Sequence, residues 1–365
     1  MNLDLDKAIQ EFQGILKKHP VLVVGTGASC ALDPSFGMPE LAKEMRQMDQ
    51  PDGGAEAEQW GLVLASLDDG KGLEEALTAV TDTGLKERIV KATGAFVASV
   101  DRDWAWRIAT GERMAPLHWL LRKLVDGLPP TNPIQHIVTP NYDMLIEHTC
   151  DALEVPWTDG FTTGSTCRRD WGAARNSMLK MTREPRGRSY TETTRVIPHI
   201  RLHKVHGSIN WFRDDDETRL LRCDRMIDGI DRETPANWRR AMITPGRRKL
   251  QEAGKNREWF TEADAAIAGA GAFLIVGYGF NDDHIHNGIQ KRLVDQGCSG
   301  IVVTRDWSPK IETWIRRSSD LWAVCQNPDG GKPGTIVVGP GNVDAPLVCE
   351  GQDLWKITAF VETVM

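Results

Sequence analysis

The 365-residue chain carries 44 Lys and Arg against 51 Asp and Glu, a formal net charge of −7. It therefore has no electrostatic reason, taken whole, to seek duplex DNA, and no apolar run approaches the ~20 residues of a membrane span. A hydrophobic content of 41% with 26% charged residues is that of an ordinary globular protein, long enough to bury a full core.

The N-terminus, M-N-L-D-L-D-K-A-I-Q, has neither a basic start nor an apolar signal core, so a cytoplasmic location is expected. The seven cysteines, Cys30, Cys150, Cys167, Cys223, Cys298, Cys325 and Cys349, are scattered and contain no C-x-x-C pair. That spacing argues against a structural zinc module and against a disulfide framework. No internal repeat is visible, and one domain over 1–365 is expected.

In chain order, residues 4–18 place Leu5, Ala8, Ile9, Phe12 and Leu16 on one helical face. Val21–Val24 reads as a buried strand, ending in G-T-G-A-S at Gly25–Ser29. Without Cβ atoms, Gly25 and Gly27 would let backbone N–H groups approach a diphosphate, whose charge the next helix would favour. The six-position G-x-G-x-x-G fingerprint, however, would need a third glycine where Cys30 stands. Pro39, in G-M-P-E-L, is placed to open a helix.

A helical insertion is expected from about 42 to 130, interrupted at Pro51-Asp52-Gly53-Gly54. Leu85, Ile89, Ala92, Phe96 and Val100 form one apolar stripe and Leu117, Leu120, Leu121, Leu124 and Val125 another; both read as core. Ile134–Val138 is a second buried strand, ending in T-P-N-Y-D at Thr139–Asp143, with a helix after it. Two loop-rich insertions are expected at about 157–196 and 212–255. The first carries Arg168, Arg169, Arg183, Arg186, Arg188 and Arg195; the second carries Arg239, Arg240, Arg247, Arg248 and Lys249. Both read as solvated or partner-facing surface, and no direct nucleic-acid binding is expected.

Ile197–Val205 suits a strand leading into H-G-S-I-N-W at His206–Trp211. A helix with Trp259, Phe260, Ala263 and Ile267 precedes the strand Ala272–Val276, which ends in G-Y-G-F-N-D-D-H-I and opens another helix. Strands at Ile301–Thr304 and Thr335–Val338 and helices at Lys310–Arg316 and Asp353–Val364 complete the chain. This alternation implies an α/β fold, a Rossmann-like parallel sheet with helices on both faces, in which ligands bind beyond the carboxyl ends of the strands. Gly25–Ser29, Thr139–Asp143, His206-Gly207, Gly277–Asp283 and Thr304–Asp306 each follow an apolar stretch, where that rule wants a site. Taken singly, Asn141 and Asp282 also suit helix caps, and His206 a core histidine.

Five motifs in order resemble the sirtuin-like superfamily, named for silent information regulator two. They are G-T-G-A-S at 25–29, G-M-P at 37–39, T-P-N-Y-D at 139–143, K-V-H-G-S-I at 204–209 and G-Y-G-F-N-D at 277–282. The resemblance implies NAD as substrate, while the missing C-x-x-C pairs and ligand clusters predict no metal. Gly25, Thr26, Gly27, Ala28 and Ser29 would surround the diphosphate, and Gly277, Tyr278, Gly279 and Asp282 the phosphate and adenosine side. Asn141 and Asp143 would lie by the nicotinamide ribose, with His206 the catalytic base.

Protein-deacylating sirtuins carry two Cys pairs on a zinc module and an Arg soon after the Gly-x-Pro turn; this chain has no Cys pair and continues Pro39-Glu40-Leu41. The Tyr of T-P-N-Y-D and the G-Y-G-F segment instead resemble the NAD-hydrolysing sirtuin-like domains of bacterial anti-phage defence. Among these are stand-alone chains that pair with a HerA-type DNA-translocating ATPase. The expectation is an NAD glycohydrolase releasing ADP-ribose and nicotinamide, working as a homo-oligomer with such a partner. A protein deacylase or ADP-ribosyltransferase, and a sensor that binds NAD or ADP-ribose without cleaving it, are the rival expectations.

Overall fold

The computed structural model describes residues 4–48, 50–186, 189–216, 218–224, 237–243, 257–280, 282–331 and 333–365. Arg188, Arg247, Arg248, Lys249 and Asn281, all singled out in the sequence, lie outside these residues.

The first part of the chain is α1 Leu5–Leu16, β1 Val21–Val24, α2 Thr26–Cys30, α3 Met38–Arg46, α4 Gly54–Asp68, α5 Leu73–Ala76, α6 Thr83–Ala109 and α7 His118–Asp126. Next come β2 Ile134–Thr139, α8 Leu145–Ala152, β3 Trp157–Thr158, β4 Cys167–Arg168, α9 Trp171–Asn176, β5 Leu179–Arg186 and β6 Ser189–Val196. They are followed by β7 His199–Lys204, β8 Gly207–Asp214, β9 Leu220–Arg222, β10 Trp238–Met242, α10 Arg257–Gly269, β11 Ala272–Val276 and α11 Asp283–Gln290. The last elements are β12 Ser299–Thr304, α12 Pro309–Arg317, β13 Leu321–Gln326, β14 Gly334–Val338, β15 Leu347–Glu350 and α13 Ile357–Val364.

Nine strands form the central sheet in the order β15-β14-β13-β12-β11-β1-β2-β7-β3. From β13 to β3 all neighbours run parallel. The wholly apolar β1 and β11 lie at its centre and are buried along their length, as a sheet covered on both faces requires. On one face Leu22, Val24, Ile137 and Leu274 pack with Phe12, Leu121 and Phe360 of α1, α7 and α13. On the other, Val23, Val138, Phe273 and Ile275 pack with Trp211 of β8, Trp259 of α10 and Trp314 of α12.

The expected parallel sheet with helices on both faces is present, and at one margin β14 pairs antiparallel with both β13 and β15. Residues 327–333 between β13 and β14 are too few for a parallel crossover, which takes a dozen or more. Among the described residues, the insertions expected to be loop-rich also contain strands. β3 joins the edge of the central sheet, β10-β8-β9-β4 form a second, antiparallel sheet, and β5 and β6 form a separate two-stranded ribbon. Residues such as Thr182, Arg183, Glu192 and Thr193 in the ribbon face solvent on both sides, so no apolar alternation betrays the strands. One expectation is corrected in α6, whose buried line runs through Leu85, Ile89, Thr93, Gly94, Val97, Ala98 and Asp101, while Ala92, Phe96 and Val100 are only half-buried. A Cβ at Gly94 would meet the Arg240 side chain at 2.2 Å, so α6 lies hard against β10 and turns a mixed face inward. Among the described residues no helix is long and apolar enough to cross a membrane.

One buried pair gives the fold a pH dependence. His136 Nδ1 lies 3.0 Å from His203 Nε2 on adjacent strands β2 and β7, and Trp171 stacks on His203. Burial, with Arg201 and His199 nearby, lowers His136 to about 4. Burial and His136 together hold His203 well below the usual histidine range. Both rings take protons more readily when unfolded, so their contribution is whole above about pH 6.5 and declines as pH falls toward the folded value. For His136 alone the loss at pH 5 is about 2 kcal/mol. Urea denaturation between pH 7.5 and 5 is expected to show this slope, and to lose most of it when both histidines are replaced by phenylalanine.

Candidate active site

A cavity of about 1270 Å³ opens beyond the carboxyl ends of the parallel strands, walled by the segments that follow β1, β2, β7, β11 and β12. β2 and β7 lie to one side of β1, and β11 and β12 to the other, so the cavity sits where the strand order reverses.

The glycines on either side of that reversal serve to bring two loops together. A Cβ at Gly25 would stand 2.5 Å from the Gly277 carbonyl oxygen and from Tyr278 Cα; one at Gly277, whose φ is +59°, would stand 2.4 Å from Ala28 N. Gly25 N–H donates to the Val276 carbonyl and Gly27 N–H to that of Gly277, both at 2.9 Å. These two amides are therefore engaged within the protein. Their satisfied donors lock the β1 and β11 loops side by side.

The T-P-N-Y-D loop is fixed from below and from the side. Thr139 Oγ1 donates to the Val24 carbonyl at 2.8 Å and accepts from Asn141 N at 3.1 Å. Asn141 Oδ1 accepts from Thr26 Oγ1 at 3.3 Å, and its Nδ2 donates to Ser29 Oγ at 3.1 Å. Ser29 Oγ in turn donates to Asp143 Oδ2 at 2.8 Å. Burial pushes the Asp143 carboxyl up from its ordinary value, and the Lys204 charge pulls in the other direction. Tyr142 donates its hydroxyl to the Ile243 carbonyl at 2.5 Å and carries its ring beside that of His206.

Several buried groups that hold this loop had no role in the sequence reading. Asp101 of α6 accepts from Met144 N at 2.7 Å and sits 2.9 Å from His148 Nε2. Burial acts against the charged form of His148, but the Asp101 carboxylate outweighs it and raises the group. Lys204 Nζ donates to the Asp143 carbonyl at 2.5 Å and to Glu147 Oε1 at 2.7 Å. A lysine between the apolar Leu202 and Val205, in a strand continuous with the core, was the available signal for that role.

His206 follows β7 and is buried; its Nε2 lies 2.7 Å from Asp282 Oδ2. Asp282 also caps α11, accepting from Ile285 N through Oδ1 at 3.1 Å. Of the residues named from sequence, Thr26, Gly27, Ala28, Asn141, Asp143, His206, Gly277, Tyr278, Gly279 and Asp282 share the cavity wall. Gly25 and Ser29 stand behind it, one packed on Gly277 and the other bridging Asn141 and Asp143. The helical insertion adds wall residues that the motifs did not name, Phe96, Val97, Met114 and Pro116. Among the described residues no group of three or more His, Cys, Asp or Glu side chains is arranged to hold a metal ion.

Residues 135–308 match a family model described as a SIR2-like domain. The matched residues include Asn141, Asp143, His206 and Gly277–Asp282, and leave Gly25–Ser29 outside. Solved structures similar to the chain include one described as the structural basis for the mechanism and regulation of Sir2 enzymes, 14% identical over 87% of this chain and 92% of that one, with a TM-score of 0.40. Sir2Tm bound to a propionylated peptide is 12% identical over 86% and 91%, with a TM-score of 0.40. A Sir2–p53 peptide–NAD+ complex is 10% identical over 87% and 92%, with a TM-score of 0.38. No curated protein matches the sequence.

Proposed function

We propose that the protein binds NAD in this cavity and hydrolyses it to ADP-ribose and nicotinamide. The observation that carries the reading is the shared wall on which Asn141, Asp143 and the His206–Asp282 pair meet the loops of Gly27 and Gly277, at the reversal of strand order. The SIR2-like segment includes all of these except Gly27.

In the proposed reaction the dinucleotide lies across the paired loops, with its diphosphate toward Thr26–Ala28 and Gly277–Gly279. Asn141, held at both ends of its amide, orients the nicotinamide ribose and the attacking water. The Asp143 carboxyl, held by Ser29, stands beside the nicotinamide ribose with Asn141. His206 accepts the water's proton, a task suited to an imidazole near neutral pH. Nicotinamide leaves as a neutral base, so no acid is required on that side.

We extend the same reading to context: an effector of anti-phage defence that works as a homo-oligomer with a HerA-type ATPase. The motif resemblance supports it, and the β5–β6 ribbon offers exposed apolar residues, Met181 and Tyr190, for assembly contacts. The test is incubation of the purified chain with NAD, alone and with the ATPase, following nicotinamide and ADP-ribose by chromatography. Equal amounts of the two products are expected. NAD binding without nicotinamide release from either preparation would favour the sensor; nicotinamide release only with an acylated peptide would favour the deacylase.

A further inference from the structure

The geometry assigns Asp282 a second task besides capping its helix: it positions the His206 ring, leaving Nδ1 toward the cavity chemistry. This rests on the proposed hydrolysis for its chemical meaning, though the contact itself does not. β7 and β11 are separated in the sheet by β2 and β1, so the 2.7 Å contact between His206 Nε2 and Asp282 Oδ2 joins one half of the cavity to the other. The carboxylate is itself oriented: Oδ1 accepts from Ile285 N at 3.1 Å, and the Tyr278 hydroxyl donates to the Asp282 carbonyl at 3.3 Å.

Nε2 faces the Asp282 carboxylate at ion-pair distance, so Nδ1 is the ring nitrogen left to take the water's proton. In the hydrolysis the water oxygen bonds to the anomeric carbon. The carbon–nitrogen bond breaks, its electron pair leaving with nicotinamide, and Nδ1 takes the water's proton before releasing it to solvent. The resulting imidazolium is stabilised by the negative Asp282 beside it, as in other base–carboxylate pairs. Other charged groups on the elements around the ring have partners of their own. Lys204 is bonded to Glu147, Arg305 to Asp306, Lys310 to the Phe280 carbonyl, and Asp143 to Ser29.

The test is Asp282→Asn, which keeps an oxygen for Ile285 N and so preserves the cap while removing the charge. Asp282→Ser, also a capping residue, is the second variant. The first readout needs no turnover: the ring-nitrogen shifts of His206 in histidine-labelled protein at one fixed pH, assigned by the signal lost in His206→Gln. A move of the Nε2 signal is expected, because the charge 2.7 Å from that atom is gone. The second readout is the pH profile of nicotinamide release. kcat is expected to fall about 10-fold or more, with KM for NAD within about threefold of the parent. Unchanged His206 ring shifts in a folded variant overturn the assignment. A kcat equal to or above the parent's also overturns it, and would make the contact a latch across the cavity. If the parent itself releases no nicotinamide while the ring signal still moves in the variant, the hydrolase reading fails and the pairing stands.

Discussion

His206→Ala is expected to lower nicotinamide release by about 10²-fold or more, the scale for loss of a positioned acid–base group. NAD affinity is expected to hold, because His206 is one residue on the wall of a cavity of about 1270 Å³ whose other loops are untouched by the change. Asn141→Ala should lose turnover too, but by a different route. It removes the bridge between Thr26 and Ser29, leaving Ser29 Oγ and Thr26 Oγ1 each short of a partner, at roughly 1–3 kcal/mol for a buried polar group. Thermal melts must therefore accompany its kinetics. The double variant is expected to be little worse than either single one, since residues acting on the same step are not additive. Nicotinamide release measured beside calorimetric NAD binding decides the matter. Near-parent turnover in folded His206→Ala removes this histidine as the base.

Lys204→Met is expected to be the most destabilising of these changes, at about 3–5 kcal/mol, the cost of leaving one member of a buried ion pair alone. The two side chains are 1% and 2% exposed, so water cannot compensate Glu147 once its partner is gone. Burial already pushes the Glu147 carboxyl up, with Lys204 acting against it, so without the lysine Glu147 should be protonated at higher pH still. Adding Glu147→Leu should recover part of the loss, as apolar replacement of a buried pair often does. It cannot restore the donor to the Asp143 carbonyl. Urea denaturation of the two variants separates these contributions. A loss under about 1 kcal/mol in Lys204→Met would show that the pair contributes little to holding the T-P-N-Y-D loop.

Much of the site was legible because its residues follow apolar runs. Val21–Val24, Ile134–Val138, Ile197–Val205 and Ala272–Val276 announce buried parallel strands by continuous hydrophobicity, and the polar residues after each lie at one edge of the sheet. That logic brought Asn141, Asp143, His206 and Gly277 to one wall before any coordinates. It failed where burial and periodicity part company. The solvated ribbon shows no alternation, and α6 turns Thr93 and Asp101 inward because it packs on polar loops and on Arg240 rather than on a uniform core.

By itself the sequence determined the α/β class, the strands that carry the site and the chain positions where its polar residues gather, since strand burial and helix periodicity are local properties. Tertiary structure alone decided what those residues do to one another. Gly25 and Gly27 turned out to serve the approach of a second loop, and their amides to be spent on Val276 and Gly277. Asp282, a helix cap by its local pattern, reaches His206 from across two intervening strands. Lys204 finds Glu147, and Asp101 finds the Met144 amide, from separate elements. The physical reason is the same in each case: a hydrogen bond or ion pair acts over about 3 Å in space, and the order of strands in the sheet, not their order in the chain, sets which groups come that close.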